Sequence, residues 1–140
     1  MWLVRERRRG VASWVLLVLA ACLGPAPQAR AQLQPNEWNP TIAEVRQLPP
    51  HCQGVFRKEL DTGPNALALC GGWFNHYCPA LVALHRAEQV TRPMTERRFF
   101  AQNAAQHLAY TRKHLAPTCP LTEDLRLAEM RARLLGMTLK

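Results

Sequence analysis

The chain has 140 residues, a formal charge of +8 and 48% apolar residues. That length allows one small domain and excludes a multidomain enzyme. Arg5, Arg7, Arg8, Arg9 and Arg30 stand against Glu6 alone in residues 1–31, so about half of the basic excess belongs to that stretch. The remaining Lys and Arg are spread over several elements without forming a block, and no nucleic-acid partner is expected.

Residues 1–31 read as a signal peptide. Basic residues precede an uncharged apolar run, 11–24, which is too short for a membrane span of about 20 residues. Ala29-Arg30-Ala31 supplies a small-x-small cleavage site, which makes Gln32 the first mature residue and the protein periplasmic or secreted. A second route is written in the same leader. Leu19-Ala20-Ala21-Cys22 resembles the lipobox of bacterial lipoproteins, and that resemblance implies a lipidated Cys22. A membrane partner is expected only in that case.

Past the leader, Cys52, Cys70, Cys78 and Cys119 remain, an even set in an exported chain. Such a set reads as two disulfides, and four cysteines allow three pairings. Cys52 follows Pro49-Pro50 while Cys78 opens a helix, and Cys119 lies in the Pro117–Pro120 turn. The expected pairing is therefore Cys52–Cys78 with Cys70–Cys119. Joining Cys70 to Cys78 instead would close a short loop and gain less, because loop entropy grows with length.

In chain order, residues 32–38 are polar and proline-punctuated and read as a flexible arm; residues 39–140 form the single domain. Asn39-Pro40 reads as a cap followed by proline at the first helical position, opening a helix through Ile42, Val45 and Leu48 that Pro49-Pro50 ends. No period holds from His51 to Gly72, apart from a turn at Asp61–Pro64 and a short helical piece from Asn65 to Cys70. Asn75 reads as the cap of a second helix starting near His76–Cys78 and ending near Gln89. A third runs from about Arg92 to Leu115, with Phe100, Ala104, Leu108, Thr111 and Leu115 as its apolar stripe. A fourth runs from Leu121 or Thr122 to Leu135 and buries Leu121, Leu125, Ala128, Ala132 and Leu135. Nothing alternates with period two. The expected fold is all-α: a small disulfide-stapled bundle of about four helices.

Residues 70–87 are the densest in chemistry. Cys70, His76, Cys78 and His85 include zinc-type ligands, but the spacing Cys-x5-His-x-Cys-x6-His matches no closed zinc motif. Disulfides also compete for the same sulfurs, and haem attachment would want Cys-x-x-Cys-His. A Cys–His catalytic pair needs a free thiolate. No catalytic residue, metal or cofactor is therefore assigned, and an enzyme is not expected. The rival reading is a small envelope enzyme or metal/cofactor-binding protein centred on Cys70–His85. Trp73, His76, Tyr77, His107 and His114 are nominated as an interaction surface, while Trp38 and Trp73 read as plugs at the core's edge.

Leu48-Pro49-Pro50-His51-Cys52, then His76-Tyr77-Cys78, then residues 96–117 and 121–136 resemble a group of exported bacterial proteins. Members of that group carry a His-Tyr-Cys segment followed by tetratricopeptide-like hairpins. The resemblance implies a helical scaffold for protein contacts, with no catalytic residues to carry over; for an exported chain the expected partner is another protein or a component of the envelope. No internal period near 34 residues is present, so the expectation is a compact bundle with one tetratricopeptide-like hairpin, not an array.

Overall fold

The computed structural model describes residues 36–140. The signal peptide, Cys22 and residues 32–35 of the arm lie outside the described residues. Among the described residues there are six α-helices, two 3-10 turns and no strand.

Helix α1 spans Ile42–Arg46, and its cap is Thr41 rather than Asn39. The Thr41 hydroxyl accepts from the Glu44 amide at 3.3 Å, and the Glu44 carboxylate accepts from the Thr41 amide at 2.8 Å. This reciprocal capping box satisfies two orphan amides, which Asn39 followed by Pro40 cannot do. Pro49-Pro50 ends α1 but also starts α2, Pro50–Phe56, with proline in the first turn where its missing amide costs nothing. Periodicity does not reveal this helix because it is only seven residues long and is interrupted by Gly54. Gly54 is needed for a close approach: a β-carbon there would sit 2.7 Å from the Asp61 carboxyl.

Helix α3 spans Ala66–Cys70 and is capped by Asn65, whose side chain accepts from the amides of Leu67 and Ala68. Gly71 then takes φ of 86°, a conformation that disfavours any side chain, and stops the helix. The 3-10 turn Gly72–His76 follows and leads straight into α4, Tyr77–Glu88. Asn75 lies inside that turn and caps nothing; α4 has no side-chain cap.

Ten of the twelve residues of α4 are buried. Helix α5, Met94–Lys113, packs along it, and α6, Thr122–Thr138, packs on α5 and α4. Arg112 near the end of α5 pairs with Glu129, while Arg98 near its start donates to the Leu139 carbonyl, so α5 and α6 are antiparallel. The expected stripe of α5 holds at Ala104, Leu108 and Thr111, with Ala101 added and Phe100 half-buried. Helix α6 buries Leu125, Ala128 and Ala132 and runs three residues past the expected end.

Both expected bridges form. Cys52 and Cys78 join α2 to the first turn of α4, with Cα atoms 5.4 Å apart. Cys70 and Cys119 join the end of α3 to the α5–α6 connection, with Cα atoms 4.7 Å apart. For loops of 26 and 49 residues the entropic model assigns about 3.5–4 kcal/mol to each bridge. Two buried disulfides mark a protein of an oxidising, non-cytoplasmic compartment. No described helix is long and apolar enough to cross a membrane.

The far end of α4 is fixed by charge. Arg86, 1% exposed, reaches Glu44 of α1 through two hydrogen bonds of 2.6 and 3.0 Å. Burial pushes the Glu44 carboxyl up, but the Arg86 guanidinium and the Thr41 amide outweigh it and bring the pKa down to about 2. The pair therefore stays charged in mildly acidic solution and contributes stability that is lost only as pH falls from the ordinary carboxylate range toward 2.

Leu108 is the midpoint of the α5 stripe and is 1% exposed. Leu108→Ala is expected to cost about 2–5 kcal/mol of unfolding free energy in urea titration, the range for a buried Leu-to-Ala cavity.

Candidate functional site

Six rings from three segments form one row on the surface. The 3-10 turn supplies Trp73 and His76 while sending Phe74 inward. Helix α5 supplies Asn103, His107 and Tyr110, spaced four and three apart on one helical face, and the residue that caps its C-terminal end supplies His114. The third segment is the chain just before α1. There the Asn36 side chain accepts from the amides of Trp38 and Asn39, both at 3.0 Å, and this local turn aims Trp38 back at the domain.

Trp38 meets His76 edge-on with ring centroids 5.0 Å apart, and His107 at 5.3 Å. Its neighbour Glu37 accepts from Asn103 Nδ2 at 2.9 Å and lies 3.7 Å from His107 Nε2. At the centre the Nδ1 atoms of His76 and His107 are 2.7 Å apart. One of them must donate and the other accept, so both rings cannot carry a proton on Nδ1 in this arrangement. Tyr110 packs on His76 at 4.1 Å and on His114 at 4.6 Å, and Trp73 stacks on His114 at 5.1 Å. The two tryptophans at the ends are open, Trp73 at 63% and Trp38 at 47% exposure.

Burial, followed by the neighbouring His107 and His114, pulls His76 below the usual histidine range. The neutral imidazole is the form that fits the row. His51, in α2, is shifted the same way by burial, partly opposed by Asp124, and its buried Nε2 has no hydrogen-bond partner.

Four of the five residues nominated from sequence meet here: Trp73, His76, His107 and His114. Tyr77 does not. It is 2% exposed, packed between Phe74 and His51, and burial raises its hydroxyl pKa far above the usual tyrosine range. The Cys52–Cys78 bridge starts α4 with its first residues facing the core, which turns Tyr77 inward. Residues 36–38 are also not a loose arm, since Glu37 and Trp38 are docked on α5 and the 3-10 turn. Neither Trp38 nor Trp73 plugs the core; both lie across histidine rings in the open. Sequence reasoning missed Glu37, Asn103 and Tyr110. The polar stripe of α5 was a usable signal for the last two, but nothing local pointed to Glu37.

The residues of the zinc-type spacing are dispersed. Cys70 and Cys78 are in different disulfides, His76 belongs to the row, and His85 lines a separate cleft with Leu81, Asp124, Leu127 and Arg131. Among the described residues no three His, Cys, Asp or Glu are arranged to hold a metal ion. Compared with family models, curated proteins and solved structures, the chain matches none.

What the row offers chemically is flat apolar faces flanked by imidazole donors and acceptors. The lowered His76 pKa also predicts a response to acid. A histidine whose folded pKa lies below its unfolded value of 6.5 costs no stability above that pH, and destabilises the fold as pH falls below it. The groups facing His76 are Glu37 by way of His107, then His107, Tyr110 and His114. Lowering the pH from about 7.5 to about 5 is therefore expected to shift the Trp38 indole resonance and to lower stability in urea. His76→Gln should blunt both changes, and an indole signal indifferent to pH would contradict the shared-proton geometry.

Proposed function

We propose that this chain is an exported helical binding module, periplasmic or secreted, whose aromatic row contacts another protein or an envelope component. One observation carries the reading. Cys70 lies two residues before the turn Gly72–His76 and Cys78 two residues after it, so both disulfides clamp the backbone that presents Trp73 and His76. A large ring held in the open on clamped backbone loses little entropy on binding. Exposed tryptophan and tyrosine are also the side chains most often found at the energetic centre of contacts.

The reading is one of binding, not turnover. Both cysteines beside the row are oxidised and offer no thiolate nucleophile. The signal-peptide reading of residues 1–31 supports delivery to the envelope, and the resemblance to exported bacterial scaffold proteins supports the same role. If Cys22 carries a lipid, the module would work at a membrane surface.

Affinity capture from an envelope extract tests this. Protein expressed from the full sequence should retain a defined partner, and the double variant Trp38→Ala/Trp73→Ala should lose at least about tenfold of it, the effect of removing one or two contact-centre rings. Equal capture by both proteins would place the contact elsewhere.

A further inference from the structure

The chain just before α1 lies as a strap across one end of the row. Its fixed end is Pro40, which is buried and whose carbonyl accepts from Arg57 at 3.2 Å. Residues 36–39 are held differently. Among the described residues, their one backbone–backbone hydrogen bond is local, from the Asn39 amide to the Asn36 carbonyl at 3.0 Å. Neither disulfide reaches this segment, and α1 begins only at Ile42. The strap is tied to the domain by the Glu37–Asn103 bond and by the two edge-on contacts of Trp38. Both rings that Trp38 meets belong to the histidine pair.

That pair tolerates one added proton but not two. Glu37, 3.7 Å from His107 Nε2, favours a proton on that nitrogen. His107 Nδ1 then accepts from His76 Nδ1, and His76 Nε2 can take a first proton from solution without breaking the bond. A second proton can go only to His107 Nδ1. It removes the last acceptor and sets two N–H groups and two positive rings face to face at 2.7 Å. The backbone cannot relieve this, because His76 lies between the bridged Cys70 and Cys78 and His107 is in the body of α5. The side chains must part, and the seat of Trp38 goes with them.

We infer that residues 36–39 are an acid-released strap, closed on the histidine pair at neutral pH and undocked by the pair's second proton while the rest of the domain stays folded. The groups facing the pair set the sign. Burial, then the neighbouring His107 and His114, favour the uncharged ring of His76, and Tyr110, packed on it at 4.1 Å, adds to that burial. The 3-10 turn brings no charge besides His76. Glu37, on the strap itself, opposes opening through its attraction for a charged His107. A histidine with a lowered folded pKa costs nothing above its free value and destabilises the docked form as pH falls below it. The Glu44 carboxyl, with its pKa of about 2, keeps α1 capped and paired to Arg86 through the same range. The inference rests on the binding role proposed above only for its use: Trp38 is one end of the row, so acid takes that end away from a bound partner. Release is seen without any partner, so its failure is distinct from a failure of capture.

Protein expressed from the full sequence and recovered from an oxidising compartment is followed by NMR from about pH 7.5 to about pH 5. Cross-peaks from the Trp38 indole to the His76 and His107 rings should vanish. The docked population should fall at least about tenfold, the effect of one proton over one pH unit. Methyl signals of the buried Val45 and Leu108 should keep their positions. Glu37→Gln keeps an acceptor for Asn103 but removes the opposing charge, so release should move to higher pH. His76→Gln offers His107 Nδ1 an amide donor that takes no proton, and the strap should stay docked at about pH 5. Where Gln at position 76 does not seat Trp38 at about pH 7.5, the direction of the Glu37→Gln shift decides. A strap still docked at about pH 5 would overturn the inference, as would release only together with loss of the core signals. So would a release pH unmoved or lowered by Glu37→Gln, or a His76→Gln strap that docks at neutral pH and leaves at the same pH as the unchanged protein.

Discussion

Helix α4 has almost no face for water, and the other elements are arranged by that fact. Pro79, Ala80, Val82, Ala83 and Leu84 point in different directions around the helix axis, yet all are buried. An apolar helix of this kind must be wrapped by its neighbours, as in the core of a much larger protein. In a chain this small, the wrapping is done by two long helices on part of its circumference and by short pieces elsewhere. Short helices are marginal in isolation, which is why each here has a specific device to hold it. Helix α1 has a capping box and the Glu44–Arg86 pair, α2 has the Cys52 bridge, and α3 has the Asn65 cap and the Cys70 bridge.

The buried arginine fits that pattern. A charge removed from water is costly unless paired and hydrogen-bonded, so Arg86 admits only a position of α1 that presents Glu44. The carboxylate in turn closes the capping box, so forming α1 and docking it are coupled through one side chain. Arg86 also lies 5.3 Å from the centre of the Phe100 ring, which ties α5 to the same point. The two disulfides do for the start of α4 what this pair does for its end. Their by-product is a rigid turn between them, and the aromatic row is built on that turn.

Much of the fold was legible in the sequence. Helices α5 and α6 carry 3.6-residue patterns, α4 is legible as an apolar run opened by Pro79 in its first turn, and the long-loop pairing of the cysteines followed from the proline turns beside Cys52 and Cys119. Helix α2 was not legible, since seven residues with a glycine among them are too few to show a period and Pro50 read as an end when it was also a beginning. The site was half legible. His107 and His114 share a face by spacing alone, but their meeting with His76 and Trp38 is tertiary, and no local pattern encodes it. Tyr77 shows the opposite failure: an aromatic beside a histidine at a helix start looked exposed, and packing turned it inward. Helix α6 illustrates a limit of periodicity, for the exposed Leu127, Met130, Leu134 and Met137 are spaced as regularly as its buried residues, and only the fold decides which stripe is buried.

Under the proposed binding role Trp73 is held outward for contact and not for the fold, and its neighbour Phe74 provides the internal standard. Equilibrium urea unfolding of Trp73→Ala and Phe74→Ala compares an exposed and a buried ring on the same clamped turn. Trp73→Ala should cost about 1 kcal/mol or less, the loss of one stacked pair at the surface, whereas Phe74→Ala should cost about 3–5 kcal/mol. A loss at Trp73 equal to that at Phe74 would make the ring a structural element and contradict the claim.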